Sequence, residues 1–220
     1  MIKKSSGRRG RPPNTPERRA QLVEALMRVI ARDGWAGAGT RAIAAEAGLA
    51  PGLVHYHFRN KHELLVALAD ELSRRGSARF AARRAGTSGT ASLYAFLDAN
   101  LARGEDEDTL AAACWAELGT LAAHDAPVRR AWRAVLDARR AVLRPLVAEA
   151  TGWAAASRQV TDACAALDAA MEGYFVLSRS APDLLPAGSA AASLRAMAAG
   201  LLAHGEDTHD RVVRRRARRR

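Results

Sequence analysis

TRAIAAEAGLAPGLVHYHFRNKHELL, residues 40–65, decides how this chain of 220 residues is read. Ile43, Ala44 and Ala47 share one helical face, and Gly48 follows as a stop that can take positive φ. Ala50 and Pro51 restart the chain, proline being suited to the first helical position, where its missing N–H costs nothing. The helix from Pro51 to about His57 is short and carries Val54 and Phe58 inward at i, i+4 spacing. Gly52, Leu53, His55, Tyr56 and His57 are then expected to point outward. An outward Leu and Tyr suit an apolar partner such as a thymine methyl better than bare solvent. A further helix starts at Lys61. The layout is that of a helix-turn-helix unit that reads DNA; the plain alternative is a surface αα-turn with no partner.

Charge favours the first of these. The formal net charge is +11, and it is unevenly placed. Residues 1–84 hold 17 Lys/Arg against 7 Asp/Glu, residues 85–204 hold 10 against 13, and residues 205–220 hold 7 against 3. A uniform arginine bias would spread evenly. A basic N-terminal unit on a mildly acidic body is the pattern of a DNA-binding module joined to a sensing or dimerising one.

The segment also resembles the TetR/AcrR family of bacterial regulators. The resemblance is carried by Thr40-Arg41, Ile43-Ala44, Ala47-Gly48-Leu49, Gly52, Tyr56-His57-Phe58, Lys61 and Leu64-Leu65, and it is specific over residues 17–75. It implies that Thr40, His55, His57 and Lys61 lie against phosphates while Arg41, Pro51, Gly52, Leu53 and Tyr56 face base edges. Arg41 is the candidate for a bidentate guanine contact. One departure is Gly39, where many members place a Ser or Thr cap; Thr40 is the candidate to take over that cap, in competition with a phosphate.

Working outward, residues 1–16 are too polar and too rich in Pro and Gly to fold alone. Arg9-Gly10-Arg11-Pro12 resembles the core of an AT-hook, and an extended Arg-Gly-Arg strip fits a narrow A·T-rich minor groove. The alternative is a solvated tail that gives non-specific attraction. The first helix is expected over 16–32, with Leu22, Leu26, Val29 and Ile30 inward, ending at Asp33-Gly34, and with Trp35 packed into the three-helix core. In the helix from Lys61 to about Arg84, Leu64, Leu68 and Leu72 mark the inner face and Arg74, Arg75, Arg79, Arg83 and Arg84 the outer one. Residues 17–84 are thus a DNA-binding domain with its linking helix.

Residues 85–90 are a Gly/Ser-rich connector, and the resemblance implies that 85–204 form an effector-binding and dimerisation domain. Apolar residues recur at helical spacing around Leu93–Leu101, Leu110–Leu121, Val128–Leu146, Val160–Phe175 and Leu194–Leu201. No strand alternation survives, so the expected fold is all-α with about nine helices. Helices near 157–179 and 189–204 match the place where the family builds its homodimer. A small-molecule pocket is expected among residues 90–179, with Tyr94, Asp98, Trp115, Glu117, Trp132, Met171, Glu172 and Phe175 as candidate lining; each aromatic and Met171 also has a plain reading as core. Glu117 and Glu172 interrupt apolar faces, and if both reached one cavity they would favour a cationic effector. The tail 205–220 is expected to be basic and disordered.

No run of 18 or more apolar residues occurs, so no membrane span is expected, and the N-terminus has no apolar signal segment. Cys114 and Cys164 sit in apolar helical patterns, as buried reduced thiols of a cytoplasmic protein would. His55 and His57 are about 200° apart on a helix and cannot share a metal. No phosphate loop, nucleophile elbow or catalytic carboxylate pair occurs, so no enzyme, cofactor or metal is expected. The expectation is a homodimeric repressor on a palindromic, double-stranded operator, released by an effector. The alternative is an architectural, A·T-preferring DNA binder that senses nothing.

Overall fold

A computed structural model of the chain describes residues 16–101, 108–186, 188–201 and 203. The basic arm with Arg9 and Arg11, and the tail 205–220, lie outside the described residues. Among the described residues the chain is all-helical, with no strand.

Helix α1 (Pro16–Gly37) starts on proline with Glu17 in its first turn. It breaks at Gly34, whose φ of 68° and ψ of −178° suit only glycine, and one further turn follows to Gly37. Trp35 lies on that turn, partly buried against the core. Helix α2 (Thr40–Glu46) has Gly39 as its cap residue, with no side-chain cap bond, and Thr40 is its first helical residue. The expected capping by Thr40 is therefore corrected, because the chain turns one residue earlier.

Gly48 at φ 65° closes α2 with two backbone bonds, Gly48 N–H to the Ala45 carbonyl at 3.0 Å and Leu49 N–H to that of Ala44 at 2.8 Å. This is the Schellman pattern, which needs a left-handed residue just past the helix. Helix α3 (Pro51–His57) begins two residues later. Helix α4 (Lys61–Arg84) is capped by Asn60, whose side chain accepts from Glu63 N–H at 2.9 Å.

The body follows as α5 (Gly89–Leu101), α6 (Thr109–His124), α7 (Ala126–Thr151), α8 (Arg158–Ser180), a 3-10 turn at Pro182–Leu184, and α9 over residues 189–201. Asp108, Asp125 and Ser157 cap α6, α7 and α8 by accepting from the backbone three residues on.

Two apolar clusters organise the packing. The first joins Leu26, Ile30, Ile43, Val54, Phe58 and Leu68 of the N-terminal helices to Cys114, Leu118, Trp132 and Val135 of α6 and α7. The second joins Phe80, Phe96, Leu97, Leu143, Cys164, Met171 and Leu194, from α4, α5, α7, α8 and α9. Helices α4 and α7 run through both, so the N-terminal helices and the body share buried surface. The two cysteines are free, buried and in different clusters, and burial pushes the Cys114 thiol up to about 12.

The arginines of α4 correct the expected outer face. Arg74 and Arg84 are exposed, whereas Arg75 and Arg79 are half-buried. Arg75 pairs with Glu24 of α1, with Glu71 at 2.8 Å and with Asp108 at 3.1 Å. Arg79 pairs with Asp108 at 3.2 Å and donates to the Ala99 carbonyl at 2.8 Å. They staple α4 to α1, α5 and the start of α6.

Candidate nucleic-acid interface

Helix α3 is positioned by α1. The Arg19 guanidinium donates to the His57 carbonyl, pairs with Glu63 at 3.2 Å, and lies 4.1 Å from the centre of the Phe58 ring. Gln21 donates to the Ala47 carbonyl at 2.8 Å. Both groups satisfy carbonyls that a helix end leaves without partners. Between α1 and α2, Glu46 takes Arg28 at 2.7 Å and Arg32 at 2.9 Å, and these bonds, Arg32 first, hold its carboxyl below the usual range.

With α3 clasped on one side, its opposite side is presented outward. Pro51, Gly52 and His55 are exposed, Leu53 is half-exposed, and Tyr56 is 57% exposed. Thr40 is partly exposed and Arg41 exposed at the start of α2, so neither hydroxyl nor guanidinium is used up in the core. Lys61 is exposed at the start of α4, with its ammonium 4.2 Å above the centre of the Trp35 ring.

His57 is the exception among the outward residues. It is only 7% exposed, with its ring edge-on to Tyr56 at 5.1 Å. The correction has a simple cause: residue 57 lies three after Val54, on the same buried side of so short a helix. The ring supports Tyr56 from behind. Arg59, which the sequence reading passed over, has a side chain 92% exposed beside the end of α3. Its signal is its place in the run Tyr56-His57-Phe58-Arg59-Asn60-Lys61, between two helices and among cations.

The face thus combines a small, partly apolar reading surface with Arg41, Arg59, Lys61 and His55 around it. Such a set can place positive charge on phosphates and short side chains on base edges.

Four of the eight candidate effector residues, Trp115, Trp132, Glu172 and Phe175, gather round the Trp115 ring, and the other four serve separate places. Glu117 accepts from the Trp35 backbone N–H at 2.7 Å, tying α6 to the end of α1. Glu172 accepts from the Trp115 indole N–H at 2.9 Å and from Arg139 at 2.7 Å. The two carboxylates serve different places, which corrects the expectation that both could hold a cation in one cavity. Asp98 pairs with Arg195 at 3.1 Å, Met171 is fully buried, and Tyr94 packs on the second cluster. Trp132 and Phe175 flank Trp115, at 4.6 and 5.6 Å between ring centres. Trp115 and Phe175 line a small cavity of about 60 Å³, and Trp115 alone of the eight also lines a larger one of about 370 Å³ between α4, α5, α6 and α7. Arg139, on the wall of that larger cavity, is absent from the sequence reading. Its signal is register: with Trp132, Val135 and Leu143 it falls on the inner face of α7.

Comparison with known proteins matches this geometry. The model of the family described as bacterial regulatory proteins, tetR family, matches residues 22–68. The nicotine-responsive transcriptional repressor HdnoR of Paenarthrobacter nicotinovorans is 49% identical over 59 residues, 27% of this chain and 30% of that protein. The transcriptional regulator BetI of Vibrio vulnificus (strain YJ016) is 32% identical over 119 residues, 53% of this chain and 60% of that protein. The matched stretches therefore span between about a third and three fifths of these relatives. Among solved structures, a transcriptional regulator from Rhodococcus sp. Rha1 superposes with a TM-score of 0.73 at 23% identity, covering 84% of this chain and 96% of that one. A TetR transcription regulator from Haloarcula marismortui ATCC 43049 gives 0.69 at 19% identity, covering 86% and 98%. At such identities these two likenesses speak for the fold.

Proposed function

The chain belongs to the TetR family of bacterial regulatory proteins, and from that premise we propose that it is a sequence-specific DNA-binding regulator, a homodimeric repressor released from a palindromic operator by a small molecule. The observation that carries the reading is the outward face of α3, with Tyr56 more than half exposed and Gly52 open, inside a frame of Arg41, Arg59 and Lys61. A face so built has no use inside the subunit. In a major groove, Tyr56 and Leu53 meet thymine methyls and base edges, Arg41 meets guanine, and Thr40, His55 and Lys61 fix the register on phosphates.

One such helix makes too few contacts for useful specificity, so two copies are needed on half-sites about 34–36 Å or slightly more apart. The surface that pairs them is that of α8, the 3-10 turn and α9, where Val176, Leu177, Leu184 and Met197 are exposed. Release follows from linkage: a ligand that binds a body conformation with wrongly spaced heads more tightly than the DNA-bound one shifts the population away from the operator. Helix α4 is the mechanical link, since it follows α3 in the chain, packs on α1 and ends among the body helices α5 and α7. The N-terminal arm with Arg9 and Arg11 adds affinity and salt dependence.

Selection from random duplexes with the purified chain tests the reading. Enrichment of a palindrome is the expected result. Enrichment of A·T-rich sequence without symmetry would replace it with the architectural binder, and no enrichment would remove both.

A further inference from the structure

The cavity of about 370 Å³ between α4, α5, α6 and α7 is of the size that small-molecule sites have. Its apolar walls include Phe80, Phe96 and Trp115. The charged residues on its lining are Arg84 and Arg139, and no carboxylate is among them. Arg139 is unusual. Its side chain is 6% exposed, its Nε donates to Asp168 at 3.0 Å and its Nη2 to Glu172 at 2.7 Å, while its buried Nη1 has no hydrogen-bond partner. Both acids are already shared, Asp168 with Arg140 and Glu172 with the Trp115 indole. The four charges Arg139, Arg140, Asp168 and Glu172 balance, so Arg84 on the same cavity leaves its lining with a positive excess. A buried guanidinium N–H without an acceptor is uncommon in folded proteins and invites one.

We propose that this cavity takes an organic acid, a small monocarboxylate with an aromatic or aliphatic body, whose head is drawn by Arg139 and Arg84 and whose body packs on Phe80, Phe96 and Trp115. The inference rests on the regulator reading for its purpose, and names the chemical class of the effector. It replaces the cationic ligand that Glu117 and Glu172 suggested from sequence. Arg–carboxylate bonding is both charge-assisted and directional, so a neutral or cationic head on the same body gains less. Because Gly76, Phe80 and Arg84 bring α4 into the wall, occupancy acts directly on the helix that carries the reading head.

The test uses the full chain and a series from phenylacetate to phenylhexanoate, each with its matched amide and amine, followed by calorimetry and tryptophan fluorescence. At least one carboxylate should bind about tenfold or more tightly than its amide, with the amine weakest. Arg139→Gln should erase that preference, but it takes a buried partner from Asp168 and Glu172 and so risks the fold. Gly76→Leu avoids this: a Cβ there first meets Asn100 Oδ1 at an ordinary 3.9 Å, and the side chain fills the cavity with Arg139 and its partners intact. It should abolish binding without lowering the melting temperature, since replacing a glycine inside α4 adds helix propensity. The proposal is overturned if an amine binds as tightly as its carboxylate, if binding survives Gly76→Leu, or if no carboxylate binds below ~1 mM. Operator binding measured on the same preparation separates the two readings. Palindrome selection without carboxylate binding sinks this inference alone, and carboxylate binding without DNA binding sinks the regulator.

Discussion

Gly52 sits at the second position of α3 with no positive φ, and a Cβ built on it meets nothing within 4 Å. Nothing inside the subunit asks for glycine there. Alanine would fit and would favour the helix by about 0.5–1 kcal/mol. In the proposed complex the same methyl would stand between the backbone of α3 and the bases. Gly52→Ala is expected to raise the melting temperature slightly while weakening operator binding, two effects of opposite sign. Unchanged affinity in the more stable variant would remove the close approach. Arg41 and Lys61 are separable in a similar way. Arg41→Ala should relax the preference at one base pair, at a cost of ~1–3 kcal/mol there. Lys61→Ala should weaken all sequences alike and lower the slope of affinity against salt. Binding measured on single-base operator variants at two salt concentrations distinguishes them, and a sequence-selective loss at Lys61 contradicts its assignment to a phosphate.

Among the elements, the contact between the start of α4 and the start of α7 is sensitive to acid. His62 meets Asp125 at 3.2 Å, and Asp125 also caps α7 through the Val128 N–H. That backbone bond first, and His62 second, hold the Asp125 carboxyl below its ordinary value. A carboxylate with a lowered folded pKa contributes stability that is present above the unfolded value and lost as pH falls through the folded one. The thermal midpoint should therefore drop on acidification below about pH 4, and less steeply in Asp125→Asn than in the parent. Equal slopes in the two would show that the cap is not where acid acts. The element order is largely legible in the sequence, because Gly48, Pro51, Asn60 and the leucine register of α4 are local signals that need no tertiary information. What is not legible depends on partners far along the chain. Arg75 and Arg79 look like a solvated face until Glu24 and Asp108 are placed beside them. Glu117 looks like a ligand group until the backbone of Trp35 is seen to need an acceptor. His57 was within reach, since i, i+3 from Val54 is as good a core spacing as i, i+4, and in so short a helix the choice decides the side. Arg139 carries a positive charge on an apolar register, and only the packing of α8 against α7 supplies the acids that let it stay there.

At the scale of the molecule, the proposed pairing surface lies on different elements from the outward face of α3. Four of the seven exposed large apolar side chains among the described residues, Val176, Leu177, Leu184 and Met197, fall on α8, the 3-10 turn and α9. Scattered singly such residues need no explanation, but their concentration on adjoining elements marks a surface that excludes water on association. The second apolar cluster lies beneath, with Leu167, Met171 and Leu194 buried, so charge can be placed on the surface without entering the core. Val176→Asp combined with Met197→Asp is expected to give a folded monomer by sedimentation, with helical content unchanged. Because each subunit then offers one head, affinity for the palindrome should fall by about a hundredfold, ~2.7 kcal/mol, or more. The salt slope should fall with the number of phosphates contacted, towards half. Binding to a single half-site should hardly change, which separates a lost partner from a damaged head. A double variant that stays dimeric would move the interface elsewhere. One that becomes monomeric yet grips the palindrome as before would mean that the two heads never act together.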